Sequence, residues 1–538
     1  MTCSSSTTCR PDRRLRSLLA LALAAALAAP ASAGGGPIEA ARAAAAKALA
    51  KRDAIAAEVI LRQAVKAGAP LDALRAQLGE ALLRQGERGE ARKLLVQGAF
   101  TPDSAGLGWR VRGQLELSEG NLGGAAQAFD RALAITPNDA ELWTEIASLR
   151  FSGGEQAQAV AAADHAVQLD PRNPRTLALR GMLIREQYGL VAALPWFEAA
   201  LRLQPDDPGL LGEYAATLGD IGEYRAMLIV CRKIIDVDPK NPRPLYLQAV
   251  LAARAGETDL ARAILLRTGT AMRNVPAAIL LTGVLEYRAG NVNVAVEQFD
   301  RLVRLQPENA QARRLLARAL DRMGDARQVV ARFDADAQAP DAAPYLLDIV
   351  GRSWSRLGQP ARAKALLARA AVHGARPPQP LRTDAPLPVL AQRYADAPRF
   401  AVNAVPYARA LLAAGRKDEA QDVADTLRDA NPGASEAWLL SGDVLMMQGR
   451  TADALDDYQS AAAIRFTEPV LRRMDAALRA LGRRQDANGM TSRYLAQNPS
   501  SLAAMKLLAA GWRDGGPADA RAALARALEA RGQGTFIR

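Results

Sequence analysis

The 538-residue sequence predicts an all-α solenoid of about 14 helix–turn–helix units in two arrays, and three observations point to it. Prolines stand at Pro137, Pro171, Pro205 and Pro239, each 34 residues after the last, and the same step passes over Arg273 to reach Pro307. In the same phase a small residue recurs without a break, as Ala45, Gly79, Gly113, Ala147, Gly181, Ala215, Ala249, Gly283, Ala317 and Gly351. Alanine is abundant and aromatic residues make up only 5% of the chain, a composition that suits helices in close contact and suits sheets poorly. A chain this long would ordinarily form roughly three or four globular domains. A solenoid escapes that arithmetic because each repeat packs only on its neighbours and the core grows lengthwise.

Taken in order, residues 1–33 read as a secretory signal peptide. Arg10, Arg13, Arg14 and Arg16 form a basic start, and Leu18–Ala29 is an apolar run too short to span a bilayer comfortably. Pro30 breaks the helix, and Ala31-Ser32-Ala33 supplies small residues at the cleavage positions before Gly34. The expectation is a periplasmic protein with no stable membrane span after cleavage; the alternative is a protein anchored by an uncleaved signal. Loss of this segment lowers the formal charge from +12 to +9 and removes Cys3 and Cys9, leaving the single thiol of Cys231. Arginine is the chain's prevailing cation, so the high pI does not by itself imply nucleic acid, and none is expected as a partner.

The array over 34–375 holds ten units, starting at 38, 72, 106, 140, 174, 208, 242, 276, 310 and 344. The small residue is at position 8, where helix A crosses helix B and only a short side chain lets the backbones approach. Bulkier residues at positions 4, 11 and 24 fill the space between crossings, and five of the six tryptophans obey this: Trp109, Trp143 and Trp438 at position 4, Trp354 and Trp512 at position 11. Cys231 takes position 24 and reads as a small buried hydrophobe. Proline at position 32 ends helix B, because it lacks an amide donor and clashes with the preceding turn. The seventh unit loses that proline to Arg273, and the ninth is the weakest, with Asp336 and Asp341 in place of a small residue and proline. Over 376–400 the frame breaks: Pro377, Pro378, Pro380, Pro386 and Pro388 predict a stiff extended connector, followed by a short helix through Val389–Ala397. About four further units fill 401–538, the last two, from about 469 and 502, with an A–B turn one residue short.

Within Gly106–Pro137, Trp109, Gly113, Ala125, Phe129, Ala132 and Pro137 fall at positions 4, 8, 20, 24, 27 and 32. This pattern resembles the tetratricopeptide repeat, and the resemblance implies a right-handed superhelix whose concave groove is lined by helix-A positions 2, 5, 9, 12 and 13. Through repeats five to ten those positions carry Arg175, Arg185, Arg243, Arg254, Arg288, Arg314, Arg318, Arg322, Arg352 and Arg356, interleaved with Tyr246, Tyr287 and Tyr345. Glu186, Asp220, Asp321 and Asp348 stand against them, and earlier repeats carry the more apolar Leu107, Arg110, Leu117 and Phe151. Guanidinium groups fork onto carboxylates, so a groove so lined is expected to favour an acidic peptide segment or an anionic polymer. The competing reading is an ordinary solvated basic face. The family's carboxylate clamp is not reproduced, because its asparagines are missing.

Nothing in the sequence assembles a catalytic centre. His165 and His373 are far apart and read as solvated helix-surface imidazoles, and no HExxH, CxxC, GxSxG or phosphate-binding glycine–lysine loop occurs. The expectation is therefore no enzyme, no cofactor and no metal, but a scaffold that binds protein partners in its groove. The alternative is an accessory protein of exopolysaccharide synthesis or export that holds an anionic polysaccharide.

Overall fold

A computed structural model describes residues 36–307, 309–339, 342–371, 385–513 and 515–529. The signal-peptide segment, Pro377, Pro378, Pro380, Asp341, His373 and the C-terminal tail lie outside the described residues. Among the described residues there are 29 helices and no strand. Ten antiparallel pairs run from Pro37 to Ala371, a single helix covers Leu387–Asp396, and four more pairs run from Ala401 to Glu529. No helix among them is long and apolar enough to cross a membrane. The helices gather into two compact units, 1–137 and 138–538.

Each pair is punctuated by local chemistry. Asp139, Asn173 and Asp207 place a side-chain oxygen on the free amides that open the next helix A. The turn from A to B needs a left-handed residue at position 15, and glycine supplies it nearly everywhere, with φ +81° at Gly154 and +88° at Gly290. The first repeat puts Arg52 there instead, at φ 63°, and the fifth moves the turn to Gly189 at +118°.

The position-8 glycines sit where the sequence predicted, and the structure shows what they face. A Cβ on Gly113 would come within 2.2 Å of the Phe129 ring, and on Gly283 within 2.5 Å of Phe299. In both pairs, as at Gly181 and Phe197, the facing residue is position 24 of the same repeat, so a glycine on A makes room for a ring on B. Where position 8 is Ala147 or Ala215, position 24 shrinks to Ala163 or Cys231. Cys231 is fully buried, and burial pushes its thiol up to about 11.

Three expectations need correction. Pro388 does not belong to an extended connector: it lies in the first turn of Leu387–Asp396, where a missing amide costs no hydrogen bond. The residue missing from the thirteenth repeat is not in its A–B turn but in the loop before it, since the preceding helix ends at Ile464 and the next begins at Glu468. The last repeat has a long A–B turn, not a short one, because its helix A stops at Gly511 and helix B starts at Ala518. The ninth repeat, weakest in sequence, forms both helices in full, and Asp336 is taken up by an ion pair with Arg313.

In the second unit one winding of the solenoid rests on another. The Ala157 amide donates to the Gly433 carbonyl at 3.1 Å, and Gln156 bonds both the Ser435 amide (3.3 Å) and Glu436 (3.1 Å). Arg465 bridges Glu186 and Glu436, at 2.8 Å to each, from within the shortened loop. One repeat further along, Gln497 accepts from the Ala192 amide at 3.0 Å, and a Cβ on Gly189 would meet the Gln497 side chain at 2.7 Å. The A–B turns of repeats four and five thus meet the inter-repeat loops of the C-terminal array.

Candidate ligand groove

The groove arginines have partners inside the chain, and the partners follow a rule. Arg254 donates to the Gly219 carbonyl at 3.1 Å, Arg288 to Ala253 at 3.0 Å and Arg322 to Tyr287 at 2.8 Å. Each stands at position 13, and each acceptor lies 35 residues earlier, in the last turn of the preceding helix A. Carbonyls there lack an intrahelical donor and carry the negative end of the helix dipole, so a guanidinium is well placed. Arg84 does the same to Leu49 in the first unit, at 3.3 Å, and Arg356 reaches the Asp321 carboxylate, again 35 residues back, at 2.7 Å.

Carboxylates of neighbouring repeats hold most of the others. Arg175 pairs with the buried Glu145, and Arg243 occupies the same repeat position opposite Glu213 at 2.7 Å. Glu213 also takes Arg185 at 3.1 Å. Burial pushes the Glu213 carboxyl upward, but Arg243 and Arg185 outweigh it and hold the group below the ordinary value of 4.5. Arg352 lies 3.0 Å from Asp321 and 2.9 Å from Asp348, while Arg254 adds Asp220 at 2.9 Å. The expectation of an open basic face therefore fails for eight of the ten arginines: Asp and Glu on the same face neutralise six, and backbone carbonyls hold Arg288 and Arg322. Among the described residues, Arg314 and Arg318 make no ion pair.

These two frame the part of the groove that remains available. The Arg318 guanidinium lies 5.9 Å from the centre of the Tyr345 ring, much as Arg322 lies 4.7 Å from that of Tyr287. Burial pushes the Tyr345 hydroxyl above its ordinary value, against the pull of Arg314 and Arg318. Burial likewise raises Tyr246, farther along the groove. Gln311, Arg314 and Tyr345 form one wall of a cleft of about 640 Å³. Arg472, Lys506 and Glu468 of the C-terminal array form the other, with Arg472 and Glu468 paired at 2.7 Å. Sequence reasoning missed this second wall. Its residues lie more than 120 positions away, and no periodic signal links them to the ninth repeat.

The sequence of each repeat now has a family to answer to. The family model for the tetratricopeptide repeat matches residues 76–140, 280–346 and 408–467, in both arrays. The chain is a tetratricopeptide repeat protein. Among curated proteins, cellulose synthase 1 operon protein C of Komagataeibacter xylinus is 29% identical over 238 residues, covering 42% of this chain and 18% of that protein. The cytochrome c-type biogenesis protein CycH of Pseudomonas aeruginosa is 33% identical over 111 residues, covering 20% of this chain and 26% of that protein. The alignments thus take in well under half of either relative's length. Among solved structures, the Cut9–Hcn1 hetero-tetramer of the APC/C contains a chain at 12% identity and TM-score 0.34, with 92% of this chain and 99% of that chain covered.

For a tetratricopeptide repeat protein, a solenoid that binds other proteins without chemistry of its own is the usual role. His165 is not a solvated imidazole: it is half-buried and meets the Trp143 ring edge-on, with 4.5 Å between centroids. The recurrence of arginine at position 13 in repeats two, seven, eight, nine and ten was visible in the sequence. It is a mark of repeat-to-repeat packing, because a ligand contact has no reason to recur at every step of a solenoid.

Proposed function

We propose that this tetratricopeptide repeat protein is a non-enzymatic periplasmic scaffold whose helix-A groove holds an acidic segment of a protein partner. Arg314, Arg318 and Tyr345 are the contact residues. The observation that carries this reading is that Arg314, in the wall of the cleft, and Arg318, over the Tyr345 ring beside it, make no ion pair among the described residues, in a groove whose other arginines are satisfied. Export is supported by the basic, apolar and small-residue pattern of residues 1–33. The intact mass of the exported chain is expected to begin at Gly34, and retention of residues 1–33 would replace the soluble form with the anchored one.

A second reading, an accessory role in exopolysaccharide synthesis or export with an anionic glycan in the same cleft, draws on the relative named for a cellulose synthase operon. Cellulose carries no charge, so that likeness supports the process and not the charge of the ligand.

Fluorescence anisotropy with labelled hexaglutamate, hexaglutamine and oligogalacturonate separates these readings. Hexaglutamate is expected to bind tightest and to weaken with salt, which screens charges over about 8–10 Å at ordinary ionic strength. Arg314→Gln with Arg318→Gln should weaken it about tenfold, equivalent to roughly 1.4 kcal/mol. Tighter binding of oligogalacturonate would put the glycan reading first. Equal binding of all three, unmoved by salt or by the double substitution, would remove the cleft as an anion site.

A further inference from the structure

Two repeats of the first array end helix B early. Helix B has nine residues in the second repeat, Arg88–Val96, and nine in the seventh, Thr258–Leu266. In the other eight it has 12 to 14. The lost turn leaves a gap between helix B and the following repeat, and the two places close it differently.

In the second repeat Phe100 fills the gap. Its ring lies edge-on to Trp109, with 5.7 Å between centroids, and so close to Gly108 that a Cβ there would come within 2.4 Å of it. The same repeat position in the seventh is Thr270, which is exposed, and the residues matching Gly108 and Trp109 are Ala278 and Ile279. With no ring to fill it, a cavity of about 860 Å³ opens between helix B, the loop through Met272 and both helices of the eighth repeat. Its floor holds the buried Leu265, Ala278, Ile279 and Leu285, and at its rim Leu266 is 82% exposed. Arg262 in its wall is held by Glu286 at 2.8 and 3.1 Å, and Arg301 donates to Asn274. Helix A of the eighth repeat faces the cavity through positions 3, 4, 7, 10 and 11, none of which lines the groove.

We propose that this cavity is a second docking site, separate from the groove, for a partner polypeptide that inserts an aromatic side chain where Phe100 lies in the second repeat. The occupant is a ring because the chain itself closes the equivalent gap with one. It is a neutral residue because the floor is made of Leu265, Ala278, Ile279 and Leu285, while of the charged residues around it Arg262 is paired with Glu286 and Asp259 and Arg301 is held by Asn274, so a charged side chain set on that floor would be desolvated for little return. An aromatic anchor in a preformed apolar pocket is also what most often concentrates binding energy at a protein interface.

The test uses the full mature chain with labelled isoleucine and leucine methyl groups, and pentapeptides Gly-Gly-Xaa-Gly-Gly with Phe, Trp or Ala at the centre. The Phe and Trp peptides are expected to shift the Ile279 and Leu266 methyl signals at millimolar concentration, and the Ala peptide is not. Thr270→Phe should plug the cavity, weaken the response about tenfold or more and raise the melting temperature. Should that variant fail to fold, Leu266→Gln at the exposed rim keeps the fold and is expected to weaken the Phe peptide severalfold. Equal shifts from the Phe and Ala peptides, or an undiminished response in a folded Thr270→Phe or Leu266→Gln chain, would overturn the proposal.

Discussion

Arg254, Arg288 and Arg322 stand thirteenth in their repeats, Arg314 and Arg318 fifth and ninth, and the family pattern assigns all five to one groove. The first three are bonded to the last turn of the helix before them, and the other two make no ion pair. Residue type is the same, so the difference comes from register. A side chain leaving the end of helix A passes the end of the preceding helix A, where backbone carbonyls lack the amide four residues on and keep room for a further donor. A side chain leaving the middle of the helix passes a backbone whose hydrogen bonds are complete, and it finds a partner only if the neighbouring repeat supplies an acid. Arg352, also ninth, finds one in Asp321. Position along the helix, more than charge, separates arginines that join repeats from arginines that are available to a ligand.

The largest effect expected from breaking this distinction is in the joining set. Replacing Arg254, Arg288 and Arg322 together with alanine should destabilise the chain by roughly 2–4 kcal/mol, at about 0.5–1.5 kcal/mol for each hydrogen bond. Urea unfolding measures the loss. Hydrogen exchange should also rise at the helix-A end of repeat six, which holds the acceptor Gly219 and carries no substitution. An effect confined to the repeats that carry the substitutions would contradict the joining role.

Glu213 comes next, as the carboxylate that holds Arg185 and Arg243. Its folded-state value is lowered, so its contribution is present above the unfolded value, near 4.5, and is lost as pH falls through the folded one. Glu213→Gln should cost about 1 kcal/mol at neutral pH. The gap between wild type and variant should stay constant down to about pH 5 and narrow below it. A gap that does not change across the acid range would mean that Glu213 acts through packing alone.

The smallest stability effect belongs to the available pair. Arg314→Gln with Arg318→Gln should leave unfolding within about 0.5 kcal/mol of wild type, as surface changes without partners usually do. The same variant is expected to bind hexaglutamate about tenfold more weakly. A destabilisation as large as that of the joining set would erase the distinction.

Much of the fold was legible because repeats repeat. The 34-residue step, the small residue at position 8 and the glycine at position 15 each place a helix crossing or a turn, and each depends only on residues within one unit. The short helix B of the seventh repeat was signalled by the missing proline at Arg273, but the cavity beside it was not. That cavity depends on the size of one side chain, Thr270, in a loop whose importance shows only once Phe100 is seen filling the matching space. The pairing of the groove-position arginines was not legible, since a list of arginines at those positions omits Glu145 and Glu213, which stand at position 6 and reach Arg175 and Arg243 from the side.

By itself the sequence determined the helix pairs, their order and the packing of each on the next, because those contacts are local or lie one repeat away and leave a periodic trace. Only the tertiary structure decided that Arg465 meets Glu186, 279 residues apart, and that Arg472 and Lys506 face Arg314 across a cleft. Such contacts depend on where the winding has arrived after some eight repeats. That place is the sum of many small rotations between neighbours, each set by side-chain packing at a single joint. No single repeat encodes the sum, so the cleft and its second wall emerge only when the whole winding is built.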